Sequence, residues 1–151
     1  MLSSAKLIAF IASAQPARAK KFYGDTLGLP LVSDDQFAVV FNCAGTQLRI
    51  QKVQSLQPHS FTSLGWRVRS IRKSVSALAK QGIVFERYGF MDQDELGVWQ
   101  APSGAKIAWF RDPDGNLLSL TEMGSASRRA KPAKAPKPKA RRGASKSATK
   151  A

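Results

Sequence analysis

The sequence predicts an α+β fold in which two tandem βαβββ modules form a cupped mixed sheet, followed by a disordered basic C-terminal tail. The same order of strands and helix occurs twice, and the composition changes abruptly after residue 124. With 151 residues, the chain is long enough for one ordinary domain. We therefore assign residues 1–124 to one domain, with modules over about 5–54 and 60–123, and residues 125–151 to the tail.

The first module starts with an apolar run that is followed by an amphipathic helix. Residues 7–12 are rich in Ile and Phe, which is typical of a buried strand. Residues 15–27 place apolar side chains at helical spacing, and the glycine that follows is a natural stop. Residues 29–33 and 36–42 then predict a hairpin, and residues 46–53 alternate between apolar and polar side chains as a strand with one polar face does.

The second module repeats this order after a linker over residues 54–60. Residues 61–68 predict a strand, and the spacing of Ile71, Val75, Leu78 and Ala79 predicts the apolar face of a helix that Gly82 ends. Further strands are predicted at residues 83–88, 97–100, 105–110 and 117–121.

The N-terminus and the cysteine content bear on the location of the protein. Lys6, the apolar run 7–11 and the small residues 12–14 imitate a signal peptide, but the run is short for one, and we interpret it as the first strand. No apolar stretch approaches the roughly 20 residues that span a bilayer, so no membrane anchor is predicted. Cys43 is the only cysteine, which excludes an internal disulfide and is consistent with a reducing, cytoplasmic compartment.

The charge is distributed unevenly along the chain. Of 24 Lys and Arg residues, ten lie in residues 125–151, where no acidic residue occurs, so the domain itself carries little net charge. The tail consists mainly of Ala, Pro, Lys and Arg, which cannot offset their ordering entropy by burial. We expect either non-specific contact with nucleic acid or another polyanion through this tail, or a solubilising segment without such a partner.

Two motifs and the paired modules point to a family. Phe22-Tyr23 is followed by Leu27-Gly28-Leu29, and the turn Asp112-Pro113-Asp114-Gly115-Asn116 follows an aromatic strand. Together they resemble the vicinal oxygen chelate superfamily of glyoxalases, extradiol dioxygenases and bleomycin-resistance proteins, over about residues 6–123. The resemblance implies a homodimer with cups shared between chains and a small-molecule ligand in the cup.

The resemblance also implies a metal site, yet this sequence departs from the family at the ligand positions. Metal-dependent members place His, Gln or Glu on the first and last strand of each module. The corresponding positions are Ile8, Arg49, Ser63 and Ser119. None of these carries the expected ligand, and a guanidinium repels a divalent ion. The substitutes in the chain are poor ones: His59, Glu122 and Gln51. We therefore predict no metal and no other cofactor.

Polar and aromatic side chains that alternate onto the cup face are the candidate ligand-binding residues. They are Gln47, Arg49, Gln51, Ser63, Arg67, Trp99 and Ser119. Two arginines on this face suit an anionic ligand through forked hydrogen bonds. The alternative is that they point to solvent or pair with Asp92, Asp94 or Glu95. Tyr88, Trp99 and Trp109 could line the walls of the pocket, although aromatic residues at strand positions more often belong to the core.

The sequence thus predicts a metal-free, glyoxalase-like or bleomycin-resistance-like protein that binds a small anionic or aromatic compound. One alternative is a glyoxalase-like lyase or isomerase with an atypical site; by resemblance such an enzyme would be similar to lactoylglutathione lyase or to a dioxygenase. Another alternative is a polyanion-associated protein that acts through its tail. No nucleophile with a recognisable base is present, so the sequence identifies no catalytic residue.

Overall fold

The computed structural model describes residues 2–124. The predicted tail, residues 125–151, lies outside this range. After a short 3₁₀ turn at Leu2–Ser4, the chain forms eight strands and two α-helices. The first module contains β1 (Ile8–Ser13), α1 (Pro16–Lys21), β2 (Leu31–Asp34), β3 (Ala38–Cys43) and β4 (Thr46–Lys52). The second contains β5 (Thr62–Arg67), α2 (Ile71–Lys80), β6 (Trp99–Gln100), β7 (Lys106–Arg111) and β8 (Leu117–Glu122).

The strands form one four-stranded mixed sheet per module, and the two sheets have the same topology. Their orders are β1-β4-β3-β2 and β5-β8-β7-β6. In each module the first strand lies parallel to the last strand, and the other neighbours are antiparallel. The predicted α+β class and the two tandem modules are therefore confirmed. The strands belong to two sheets, however, and β1 and β5 are both edge strands.

The helical segment of the first module lies between the two sheets. After α1 the chain continues into a π-helical turn at Phe22–Thr26, closed by a 2.9 Å bond from Leu27 N–H to the Phe22 carbonyl. Phe22 contacts Phe110 of the second sheet, whereas Tyr23 contacts Phe41 of the first. One buried cluster thus includes side chains from both sheets and both helices.

The opposite face of each sheet points away from this shared core. In β1 the buried side chains are Ile11 and Ser13, whereas Ile8 and Phe10 are about half exposed. Because successive side chains of a strand point to opposite faces, the residues of β4 that pair with Ile8 and Phe10 lie on the same outward face. We call the outward faces of the two sheets the open faces.

Two predictions about local structure are wrong. Residues 83–88 form no regular strand, because only Phe85 makes a ladder bridge, to Phe110. Instead, the Gln93 side chain accepts a hydrogen bond from the Tyr88 N–H and donates one to the Glu86 carbonyl. These two backbone groups are therefore not available for pairing with a neighbouring strand. In α2, Ile71 and Val75 are buried, but the fourth predicted core residue, Ala79, is exposed.

A buried polar network at the turn after β7 joins the modules. Asp112 accepts hydrogen bonds from the Tyr23 hydroxyl at 2.9 Å and from the Asn116 side chain at 2.8 Å. Asp114 accepts from the Ser13 hydroxyl and from the Ala14 N–H. Burial raises the pKa of Asp112, and the hydrogen bonds from Asn116 and Tyr23 partly oppose that shift. The turn therefore connects β1 and the first helical segment to the second sheet.

Candidate functional site

The open face of the first sheet carries three of the predicted site residues. Gln47, Arg49 and Gln51 alternate along β4 and pair with Ile8, Phe10 and Ala12 of β1. The charge of Arg49 contributes to lowering the pKa of Asp35, although the main cause is the hydrogen bonds that Asp35 accepts from the Ala38 and Phe37 N–H groups. This face therefore combines amide side chains and one cation with an exposed apolar edge.

The open face of the second sheet carries three of the other four predicted residues, Arg67, Ser119 and Trp99. Arg67 pairs with Thr121, and Thr121 pairs with Ile107, which in turn pairs with Trp99. This row places Arg67 and Trp99 on the same face of the sheet. Ser119 lies in the next row, and Ser63 lies at the β-bulge between Thr62 and Leu64, where the ladder register shifts.

The Ser119 hydroxyl rests directly on the backbone of the neighbouring strand. A Cβ added to Gly65 would come within 2.6 Å of Ser119 Oγ and 3.4 Å of its carbonyl oxygen. Because Gly65 has no side chain, the Ser119 hydroxyl can lie against its backbone on the open face. Ser119 is buried, yet its side chain makes no hydrogen bond with any residue in the range 2–124.

Four aromatic rings form a continuous array beside this row. The Trp109 ring lies 6.2 Å from that of Trp99 and meets Tyr88 edge to face at 5.7 Å, and Phe90 contacts Tyr88 at 5.5 Å. The Trp109 indole N–H donates to the Thr62 hydroxyl at 3.1 Å. Both tryptophans keep part of their surface exposed. The sequence prediction named Tyr88, Trp99 and Trp109 as residues that could line the pocket, with Trp99 among the site residues; it did not include Phe90.

The arginines of the chain differ in whether they are paired. Arg72 bonds Asp94 and Glu95, Arg111 bonds Glu86, and Arg87 donates to two backbone carbonyls. Asp94 and Glu95 are thus already engaged by Arg72. Arg67 forms neither a hydrogen bond nor an ion pair with residues 2–124. The second open face therefore carries a guanidinium group without a partner in residues 2–124, in the same row as Trp99, with Thr121 and Ile107 between them.

The residues at the family's ligand positions do not fit a divalent ion. Ile8 has no donor atom, Arg49 is cationic, and Ser63 and Ser119 offer only neutral hydroxyls. Within the described part of the chain, no three His, Cys, Asp or Glu side chains are grouped as a metal site would require. Two of the three substitutes are engaged elsewhere: Glu122 accepts from the N–H of Ile71 at the start of α2, and His59 stacks on Phe61. The third, Gln51, is a single amide on the open face of the first sheet.

The two groups of predicted residues do not converge within one chain. Both sheets turn their helix-packed faces toward one shared core, so their open faces point away from each other. Arg49 and Arg67 consequently lie on different outward surfaces. The predicted residues therefore form two separate candidate half-sites, and the aromatic array accompanies the second.

Paired βαβββ modules with open sheet faces define a class of ligand-binding and catalytic folds. A comparison with protein families shows which superfamily of this class the chain matches. The model of the Glyoxalase/Bleomycin resistance protein/Dioxygenase superfamily matches residues 7–120. The chain belongs to this superfamily. No curated protein matches it.

Solved structures agree with this assignment at the level of the fold. A superfamily member from Sphaerobacter thermophilus is 25% identical with a TM-score of 0.64, covering 81% of this chain and 99% of that one. Lactoylglutathione lyase from Agrobacterium tumefaciens is 18% identical with a TM-score of 0.62, covering 79% and 93%. A glyoxalase family protein from Enterococcus faecalis is 22% identical with a TM-score of 0.58, covering 81% and 100%.

The described helices are short compared with a membrane span. The longer of the two, α2, has ten residues. None of the helices in residues 2–124 is long and apolar enough to cross a membrane.

Proposed function

We propose that this superfamily member is a homodimeric binding protein that holds a small aromatic anion on its open sheet faces without a metal ion. The observation that carries the proposal is the unpaired Arg67 on the same face as the array Trp99, Trp109, Tyr88 and Phe90. A guanidinium forms paired hydrogen bonds with a carboxylate or phosphate. Aromatic rings stack on a planar ligand.

Polar side chains on both open faces support the same proposal. Besides Arg67, the side chains of Gln47, Gln51, Ser63 and Ser119 make no hydrogen bond with residues 2–124. On an open sheet face, a polar side chain that makes no hydrogen bond within the protein is able to bind and orient a ligand. The donor chemistry at the four family positions supports a site that does not depend on a divalent ion.

A dimer would bring the two half-sites together. Ile8 and Phe10 are 45% and 55% exposed on an edge strand, and they border Gln47 and Arg49. If the first sheet of one copy faces the second sheet of its partner, these apolar side chains become covered and Arg49 approaches the partner's anion site. The superfamily resemblance supports such shared cups. We also propose a cytoplasmic location, supported by the single free cysteine, Cys43.

Isothermal titration calorimetry with 2-naphthoate tests the binding proposal. We expect Arg67→Gln to weaken binding about tenfold, as loss of a charged hydrogen bond does. Trp99→Ala should weaken it several-fold by removing a stacking surface. Arg72→Gln is the matched control, since it removes the same charge from α2 and should bind like the wild type. Equal affinity of the Arg67 and Arg72 variants would contradict the proposal.

Native mass spectrometry of the full-length protein tests the assembly and the metal together. We expect a dimer without a divalent ion, and a retained organic mass would identify the compound to pursue. One divalent ion per subunit would contradict the metal-free proposal and make the enzyme alternative the leading one. The search for ligands would then begin with Gln51, His59 and Glu122.

A further inference from the structure

A cavity lies on the helix-packed side of the second sheet, opposite the open face. It has a volume of about 340 Å³. Trp66 and Leu120, which pair across β5 and β8, form its floor, and Leu78 of α2 forms one wall. Leu27 and Leu29, from the segment that follows the π-helical turn, close the other side. The cavity therefore lies at the junction of the two modules.

The wall of this cavity offers almost no polar atom to a ligand. The Trp66 indole N–H already donates to Cys43 Sγ at 3.1 Å, and the Ser74 hydroxyl already donates to the Ser70 carbonyl at 3.0 Å. Arg67 also contributes to the wall, but it pairs with Thr121, and strand alternation directs the side chains of this pair to the open face. The remaining surface is aliphatic and aromatic.

The apolar side chains around the cavity are incompletely covered. Leu27, Leu29, Trp66, Val68 and Leu78 all pack against the core but remain only partly buried. Protein interiors are normally close-packed, so an opening of this size among apolar side chains leaves contacts unmade. A ligand that fills the opening gains these contacts and removes the apolar wall from water.

We propose that this cavity binds a neutral apolar molecule, such as an alkylated ring or a short alkyl chain. An engineered apolar cavity of about 150 Å³ holds benzene, so the present one accommodates roughly ten carbon atoms. The site differs from the proposed aromatic-anion site, because Trp66 and Leu120 lie on the other side of the sheet from Trp99, and Arg67 is the residue that borders both. Its occupant would touch both modules at once.

Titration of the ¹⁵N-labelled full-length protein with n-butylbenzene tests the proposal. The chain has three tryptophans, and the Trp66 indole N–H resonance can be assigned with Trp66→Phe. We expect this resonance to shift in a saturable manner, whereas those of Trp99 and Trp109 stay in place. Absence of a shift at Trp66 up to the solubility limit of the probe would overturn the proposal.

A pair of alanines on α2 provides matched variants. Both alanines are exposed, but Ala77 lines the cavity and Ala79 does not. Ala77→Leu should weaken n-butylbenzene binding at least tenfold by filling the space, and Ala79→Leu should leave it unchanged. Ser74→Leu fills the cavity from one turn earlier and serves if Ala77→Leu fails to fold. Equal binding by the filled and control variants would overturn the proposal.

Competition separates this site from the proposed function. Saturating n-butylbenzene should leave the affinity for 2-naphthoate within twofold of its value without the probe, and Trp99→Ala should bind n-butylbenzene like the wild type. If 2-naphthoate fails to bind while Trp66 still responds to n-butylbenzene, the proposed function fails and the cavity proposal stands. Mutual displacement of the two probes would overturn the claim of a separate site.

Discussion

Tyr23 and Asp112 show how two sequence motifs become one structural unit. Tyr23 belongs to the aromatic motif of the first module, and Asp112 begins the turn of the second, 89 residues later. Pro113 and Gly115 are sufficient to explain the turn, so no local pattern predicts a tyrosine packed against it. In the structure the tyrosine is fully buried, and burial together with the Asp112 carboxylate raises the pKa of its hydroxyl.

Tyr23→Phe should lower the free energy of unfolding by about 1–3 kcal/mol, because it removes a hydrogen bond to a buried carboxylate. Urea unfolding measures the change. Tyr88→Phe is the control, since Tyr88 is only partly buried and its hydroxyl makes no hydrogen bond with residues 2–124. Equal stability of the two variants would show that the Tyr23 bond contributes nothing.

Gly65→Ala should destabilise the protein by about 1–3 kcal/mol, as overpacking does. The new Cβ would collide with Ser119 Oγ, so the hydroxyl must leave its place on the open face. In a Ser119→Ala background the same substitution should cost much less, because the nearest Ser119 side-chain atom is then Cβ, 3.9 Å away. A double-mutant cycle by urea unfolding measures the coupling, and additive effects would contradict the contact.

Asp34 ties three elements of the first module together. It lies at the end of β2 and forms ion pairs with Lys20 of α1 at 2.9 Å and with Lys52 of β4 at 2.7 Å. Hydrogen bonds from Lys52 and Lys20 lower the pKa of Asp34 below its ordinary value. Because the folded state favours the ionised form, this contribution to stability is present above the unfolded pKa of about 4 and is lost as the pH falls.

Asp34→Asn should therefore lower the melting temperature at pH 7, and the difference from the wild type should shrink as the pH approaches about 3. Thermal melts followed by circular dichroism across this pH range measure the effect. Asp25→Asn is the control, since the Asp25 side chain forms no ion pair or hydrogen bond with residues 2–124. A difference that grows toward low pH would contradict the assigned ion pairs.

Most elements were predictable from periodicity, and the exceptions have physical causes. The strands and both helices lie close to their predicted positions because apolar spacing and turn residues are local features. Residues 83–88 carry a strand-like pattern, but the Gln93 side chain takes up their backbone groups, which no local pattern predicts. The predicted helix at 15–27 ends its α-helical part at Lys21 and continues as a π-helical turn.

At the scale of the whole molecule, the sequence predicted which residues share a face but not where the faces point. Alternation assigned Arg49 and Arg67 to open sheet faces, and the strand registers agree with that assignment. Alternation contains no information on which sheet packs against which helix. The position of Phe22 between the sheets, which separates the two arginines, depends on contacts between residues far apart in the chain.

Phe10→Asp should convert the proposed dimer into a monomer, because it places a charge in the surface that the partner covers. Light scattering coupled to size-exclusion chromatography measures the mass. Val84→Asp is the control, since Val84 is 82% exposed and lies on neither open face. A wild-type protein that is monomeric, or a Phe10→Asp variant that remains dimeric, would contradict the proposed arrangement.

Deletion of residues 125–151 should leave the melting temperature unchanged, because the core cluster within residues 2–124 is built from residues 11–120 and the composition of the tail does not favour burial. The same deletion should abolish retention on a DNA column at low salt, since it removes ten of the 24 basic residues. The affinity for 2-naphthoate should stay the same. A lower melting temperature would show that the tail contributes to the folded domain.

The polar network at the Asp112 turn also determines when the nascent chain can complete its fold. Ser13 and Asp114 are 101 residues apart, and the bond between them closes only after nearly the whole domain has been synthesised. Until then Tyr23 lacks its carboxylate partner and Phe22 lacks the ring of Phe110. The first module therefore leaves the ribosome with part of its apolar surface uncovered. At this stage the nascent chain is most prone to aggregation and most dependent on chaperones.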